Sequence, residues 1–170
     1  FLEYRWIGGS GLPDAPTLVF LHEGLGSIRQ WRDFPEKLCA ATGLRGLAYD
    51  RYGYGQSDVL DEPRVGIDFM HRGALAELPA LLRSLGIVNP ILVGHSDGAS
   101  IALIHAGGGH AVRAVVSLYG VTDLLGLAAT THRFESTYLD TLVGPLPAAA
   151  ARYRERSPVT RAVRSRSPSR

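Results

Sequence analysis

Apolar residues in this chain gather in short runs, and the runs alternate with stretches of helical period. Thr17 to Leu21, Leu44 to Tyr49, Pro90 to Val93 and Val112 to Tyr119 are compact apolar segments. Runs of this length predict strands buried on both faces, as in a parallel sheet. Leu2 to Ile7 predicts a first strand. Between the runs, Ile28, Trp31, Phe34 and Leu38 fall three and four apart, one apolar helical face opened by Ser27 as N-cap and made imperfect by Pro35. Leu75, Leu78, Leu82 and Leu85 mark one face of a helix over 67–85 that Gly86 ends. Ala99 to Ala106 predicts a buried helix stopped by three glycines, and shorter helices are predicted at 123–129 and 134–142. The alternation predicts an α/β fold: a mostly parallel sheet with helices on both faces.

Composition bounds this picture. The chain has 170 residues, 45% of them apolar, enough for one domain with its own core. A single cysteine, Cys39, excludes a disulfide framework and points to a reducing, cytoplasmic setting. No apolar run reaches a membrane span, and no basic-then-apolar start marks a signal peptide. The net charge of +2 hides an asymmetry: residues 152–170 carry seven Arg and one Glu. The expected organisation is a domain over 1–150 and a basic, disordered tail over 151–170. A basic tail can bind nucleic acid, but its end has no aromatic residue to stack on bases, so neither a nucleic acid nor a membrane partner is expected.

Chemistry enters at Gly94-His95-Ser96-Asp97-Gly98, set between an apolar strand and a helix. A nucleophile elbow requires that place: a sharp turn with small flanking residues, lifting the serine hydroxyl above the carboxyl edge of the sheet. The Asp97 N–H then lies at a helix N-terminus, where negative charge is favoured. A tetrahedral oxyanion needs a second donor. The loop His22-Glu23-Gly24 supplies the candidate, Gly24 N–H, with the Glu23 carboxylate unwelcome if it points inward.

With LVFLHEGLGS at 18–27, YDRYGYGQSD at 49–58 and ILVGHSDGASIAL at 91–103, residues 2–120 resemble the α/β-hydrolase fold family, in particular its small esterase-, lactonase- and aminopeptidase-like members. The resemblance implies a cofactor-free serine hydrolase with Ser96 as nucleophile and Gly24 and Asp97 as oxyanion donors. Residues 117–145 and 153–158 are instead similar to prolyl oligopeptidase-type serine peptidases, so the chain reads like a join of two lineages, with a seam near Gly107 to Val115. Both lineages continue with two more strands, after which the catalytic Asp and His come. The expectation is therefore a truncated α/β-hydrolase fold lacking those strands.

The base must come from elsewhere. His22 supports the oxyanion loop, His95 points away from the site, His71 belongs to the long helix, and His105 and His110 lie at the far end of the helix after the elbow. That leaves His132, with Asp123 as its acid, in the order Ser, Asp, His. The bland alternative has Asp123 capping a short helix and His132 solvated. No residue cluster has metal-ligand spacing. The expected activity is hydrolysis of small, uncharged carboxylic esters in an open pocket. Two alternatives stand beside it: a serine peptidase acting on short peptides or acyl-amino acids, and a non-catalytic chain that forms a homodimer through an exposed sheet edge.

Overall fold

A computed structural model describes residues 1–9, 14–60, 66, 68–130 and 133–160, without the side chains of 133–136 and 138. Five strands form one sheet: β1 (Tyr4–Ile7), β2 (Leu18–Leu21), β3 (Gly46–Tyr49), β4 (Ile91–His95) and β5 (Ala114–Leu118). Their spatial order is β1-β3-β2-β4-β5. Only β1 runs antiparallel to its neighbour; β3, β2, β4 and β5 are mutually parallel.

Alternation along the strands sorts two cores. Val19, Leu21, Leu47, Tyr49 and Leu92 face one way. They meet α3 (Leu78–Ser84) and α4 (Asp97–Gly107) through residues such as Leu78, Leu82, Ile101 and Ile104. Leu18, Phe20, Ala48 and Val93 face the other way, toward Cys39 of α1 (Phe34–Thr42) and toward Trp31. Phe20 meets the rings of Trp31 and Phe34 edge-on, at 5.5 and 6.3 Å; Trp31 packs against this core, while Phe34, which the sequence places on the same apolar face, is exposed.

The helices break where their sequences do. The segment expected to start at Ser27 is a short 3-10 turn over Ile28–Trp31. Arg32 then takes φ 52°, and α1 begins with Pro35 in its first turn. Ser27 makes no capping hydrogen bond; the Asp50 carboxylate accepts the Ile28 N–H instead, at 2.6 Å. The long helix divides into α2 (Phe69–Arg72), a π-helical turn over Gly73–Glu77, and α3. Pro79 accounts for the wide turn, because it lacks an N–H and its ring crowds the carbonyl four residues back.

Beyond β5, the helices α5 (Leu124–Thr130), α6 (Arg133–Leu142) and α7 (Ala150–Arg156) share a third cluster around Leu139, Val143, Ala149 and Tyr153. The expected disordered tail from 151 onward gives way to helix as far as Arg156. Tyr153 is fully buried among arginines that made the segment read as solvated.

Candidate active site

β4 runs into α4 through a single residue, Ser96, whose φ of 51° and ψ of −117° lie where a residue with a side chain stays only under constraint. The constraints are visible. Its N–H donates to the Leu118 carbonyl of β5 at 2.8 Å, and its carbonyl accepts the N–H groups of Ala99 and Ser100 at 3.0 and 3.1 Å. The flanking glycines are required by contact. A Cβ on Gly94 would stand 2.5 Å from the backbone of Ala99, and one on Gly98 would run into the Leu21 carbonyl. Strand and helix backbones therefore touch, and the serine is thrust out at the end of the sheet.

Asp97 opens α4, so its N–H has no carbonyl one turn earlier to bond and sits at the positive end of the helix. Its carboxyl lies against Gly24, where any Cβ would collide with it. Residues 24 and 97 thus neighbour each other through the Asp97 side chain. Burial pushes the Asp97 carboxyl above the usual carboxylate range; Arg51 opposes that shift and Glu23 adds to it.

The Gly24 peptide is held from behind. Arg51 N–H donates to His22 Nε2 at 3.1 Å, which leaves the ring proton on Nδ1, and Nδ1 donates to the Glu23 carbonyl at 2.7 Å. Arg51 Nη2 donates to the same carbonyl at 2.7 Å. In a trans peptide the N–H points opposite to the carbonyl, so the Gly24 N–H is turned away from Arg51. His22 is 1% exposed, and burial, then the Arg51 charge, lowers its pKa from 6.5 to about 4. It is a neutral structural imidazole. Asp50 completes the brace, accepting the N–H groups of Ile28 and Gln56 at 2.6 and 3.0 Å. Glu23 lines a neighbouring cleft with Arg29, Trp31 and His95, and its charge is still felt at Asp97.

That cleft, of about 390 Å³, is walled by Ser96, Asp97, Tyr119 and Val121 at the sheet, by Phe69, Met70 and His71 of α2, and by Leu124, Leu127, Leu139, Leu142, Val143 and Arg156. The open pocket expected from the sequence instead has a wall built from α5, α6 and α7.

The expected site residues separate here. Ser96 and Asp97 share the cleft wall, and Gly24 lies against the Asp97 carboxyl. Asp123 Oδ1 accepts the N–H groups of Leu125 and Gly126 at 3.0 and 3.1 Å, which caps α5, and Asp123 is not on the cleft wall. His132 lies outside the described residues. Among the described residues nothing hydrogen-bonds the Ser96 hydroxyl. His95 turns to the rings of Trp31 and Tyr119, and His105 stacks on His110. His71, set aside in the sequence, lies on the cleft wall. The signal was present: it stands four residues before Leu75, at the head of the same apolar stripe. Among the described residues no group of three His, Cys, Asp or Glu side chains gathers to hold a metal, and no helix is long and apolar enough to cross a membrane.

The sequence profile of the alpha/beta hydrolase fold matches residues 16–166. The chain belongs to the α/β-hydrolase fold family. Within it, the chain is 31% identical over 105 residues to the mouse (Mus musculus) sn-1-specific diacylglycerol lipase ABHD11, covering 62% of this chain and 32% of that one. It is 31% identical over 103 residues to the proline iminopeptidase of Lactobacillus helveticus, covering 60% of this chain and 33% of the other. A crystal structure of an alpha/beta hydrolase fold protein from Burkholderia ambifaria superposes with a TM-score of 0.61 at 26% identity, over 88% of this chain and 51% of that one. This hydrolase-fold chain thus aligns with about a third of the length of those curated relatives and half that of the solved structure. Its matched span includes residues 107–115, where the sequence suggested a join.

Proposed function

We propose that this chain carries the nucleophile half of a serine hydrolase that cleaves small carboxylic esters through an acyl-Ser96 intermediate. The observation that carries the reading is the positive-φ Ser96 between two obligatory glycines, at the head of a helix whose first residue, Asp97, lies against Gly24. In acylation, Ser96 Oγ bonds to the ester carbon and its proton passes to an imidazole. The carbonyl oxygen takes the negative charge, facing the two N–H donors. Collapse re-forms the carbonyl and breaks the bond to the alkoxy oxygen, which leaves as alcohol with the proton. Water then repeats the sequence on the acyl-serine and releases the acid. Esters are favoured over amides because an alkoxide leaves with less help from a general acid.

Two rings compete for the proton: His132, backed by Asp123 in the order read from the sequence, and His71, on the cleft wall. Turnover measured in His132→Ala, Asp123→Ala and His71→Ala separates them. Loss in the first two with folding intact supports the order-based triad, and loss in His71→Ala alone supports the wall residue.

A second reading, a serine peptidase acting on short peptides or acyl-amino acids, is favoured by the proline iminopeptidase relative. Matched ester and amide substrates with a common acyl group discriminate: ester cleavage at least 100-fold faster supports the first reading, and parity the second. Among the described strands β5 pairs only with β4, and Val116 is exposed on it. A homodimer through that edge remains a third proposal. Sedimentation velocity tests it, and a monomer at high micromolar concentration overturns it.

A further inference from the structure

The cleft wall carries one basic side chain without a visible purpose. Arg156 ends α7, and the segment that follows is pinned to the chain after β5. Buried Ser157 donates its hydroxyl proton to the Tyr153 carbonyl at 2.7 Å and accepts the Leu124 N–H at 2.9 Å. Val159 N–H reaches the Thr122 carbonyl at 3.0 Å. These bonds tie the end of α7 to the carboxyl edge of the sheet and put Arg156 in the cleft that holds Ser96.

Among the described residues nothing answers its charge. Arg156 Nε is buried and has no hydrogen-bond partner, and among the described residues no carboxylate forms an ion pair with it. The helical wall around it is otherwise apolar, including Leu124, Leu127, Leu142 and Val143. Asp97, the acid in the cleft, is acted on by Arg51 and Glu23. Arg156 belongs to the helical wall of the cleft, and Ser96 to its sheet end. A buried donor left unbonded is costly, and the planar guanidinium fork fits a carboxylate at two points.

We propose that this cleft selects esters bearing a carboxylate remote from the scissile bond, such as the monoester of a short dicarboxylic acid, with Arg156 holding the free carboxylate while the ester carbonyl reaches Ser96. This rests on the reading of Ser96 as the ester-cleaving nucleophile, and it replaces the expectation of uncharged substrates. Arg156 is a specificity residue here and takes no part in the bond changes.

Calorimetric titration of the Ser96→Ala protein tests it without turnover. The ligands are monomethyl glutarate, with the carboxylate on the acyl side, 4-acetoxybutyrate, with it on the alcohol side, and neutral methyl butyrate. At least one anionic ester should bind tenfold or more tightly than the neutral one, and the tighter of the two names the side. The preference should fall to within twofold in Arg156→Met and survive in part in Arg156→Lys. Equal affinity for all three ligands overturns the proposal, and the ligand comparison on protein that retains Arg156 stands even where Arg156→Met lowers stability. Wild-type turnover is scored separately. Anion-selective binding without ester cleavage keeps the carboxylate site and sinks the nucleophile reading. Cleavage of all three esters at equal kcat/KM sinks the carboxylate site and keeps the nucleophile.

Discussion

The two walls of the cleft are held together by different kinds of contact. On the sheet side, a methyl added to Gly98 meets the Leu21 carbonyl and one added to Gly94 meets the start of α4; backbone touches backbone, with no side chain to give way. On the helical side, α5, α6 and α7 meet through Leu139, Val143, Ala149 and Tyr153, side chain on side chain. Backbone contact leaves no room for a different residue, so the reacting end admits few sequences. Side-chain packing tolerates exchange among apolar residues of similar volume. The nucleophile's geometry is therefore fixed, while the shape and charge of the opposite wall are free to set which substrate fits.

The sharpest way to break this contrast is one substitution on each side. Gly98→Ala should lower stability by more than about 4 kcal/mol or abolish folding, because the obstructing atom is a carbonyl that cannot move without pulling β2. Leu139→Ala should cost less, about 2–4 kcal/mol, and its effect should be local. Hydrogen exchange should show faster opening across α5–α7 with β2 and β4 protected as before. Equal loosening of both walls in Leu139→Ala would contradict the separation.

Next in size is an acid-side effect confined to the sheet wall. His22 is neutral in the fold with a pKa near 4, against 6.5 in an open chain. Below pH 6.5 the unfolded chain takes up a proton that the folded ring refuses. The contribution is complete above that pH and falls as the pH drops toward 4, by about 3 kcal/mol in all. Denaturant titrations at pH 7 and pH 4.5 should show most of this loss, and His22→Gln should flatten the pH dependence.

The smallest effect belongs to the helical wall. Asp123→Ala removes the cap of α5 and should cost about 1 kcal/mol in a thermal melt. A fall in turnover beyond what the melt explains would mark Asp123 as the triad acid as well.

The same contrast decides what could be read from the sequence. The five strands were legible as short segments between turns, and β4 with α4 most clearly, because an apolar run followed by Gly-x-Ser-x-Gly has little else to be. Gly24 followed from the fixed place of the loop after β2, and Asp97 from its place after the elbow serine. The brace formed by His22, Arg51 and the Glu23 carbonyl was legible only as a supporting role for His22, since residues 22 and 51 meet only through the pairing of β2 with β3. The helical wall was harder. Its sequence is rich in small and charged residues, and Tyr153 lies among four arginines in the stretch 152–161, where charge outweighs a single aromatic residue. Arg156 was counted into a solvated tail for that reason. His71 was passed over although it heads the Leu75 stripe, because the stripe alone does not show that α2 lines the cleft of Ser96.

Most directly, the central claim is tested by a fluorophosphonate that labels reactive serines, followed by peptide mass spectrometry of the intact chain. The account predicts one phosphonyl adduct, on Ser96, absent from folded Ser96→Ala protein. A folded wild-type chain left unlabelled, or an adduct of equal yield in Ser96→Ala, would contradict it.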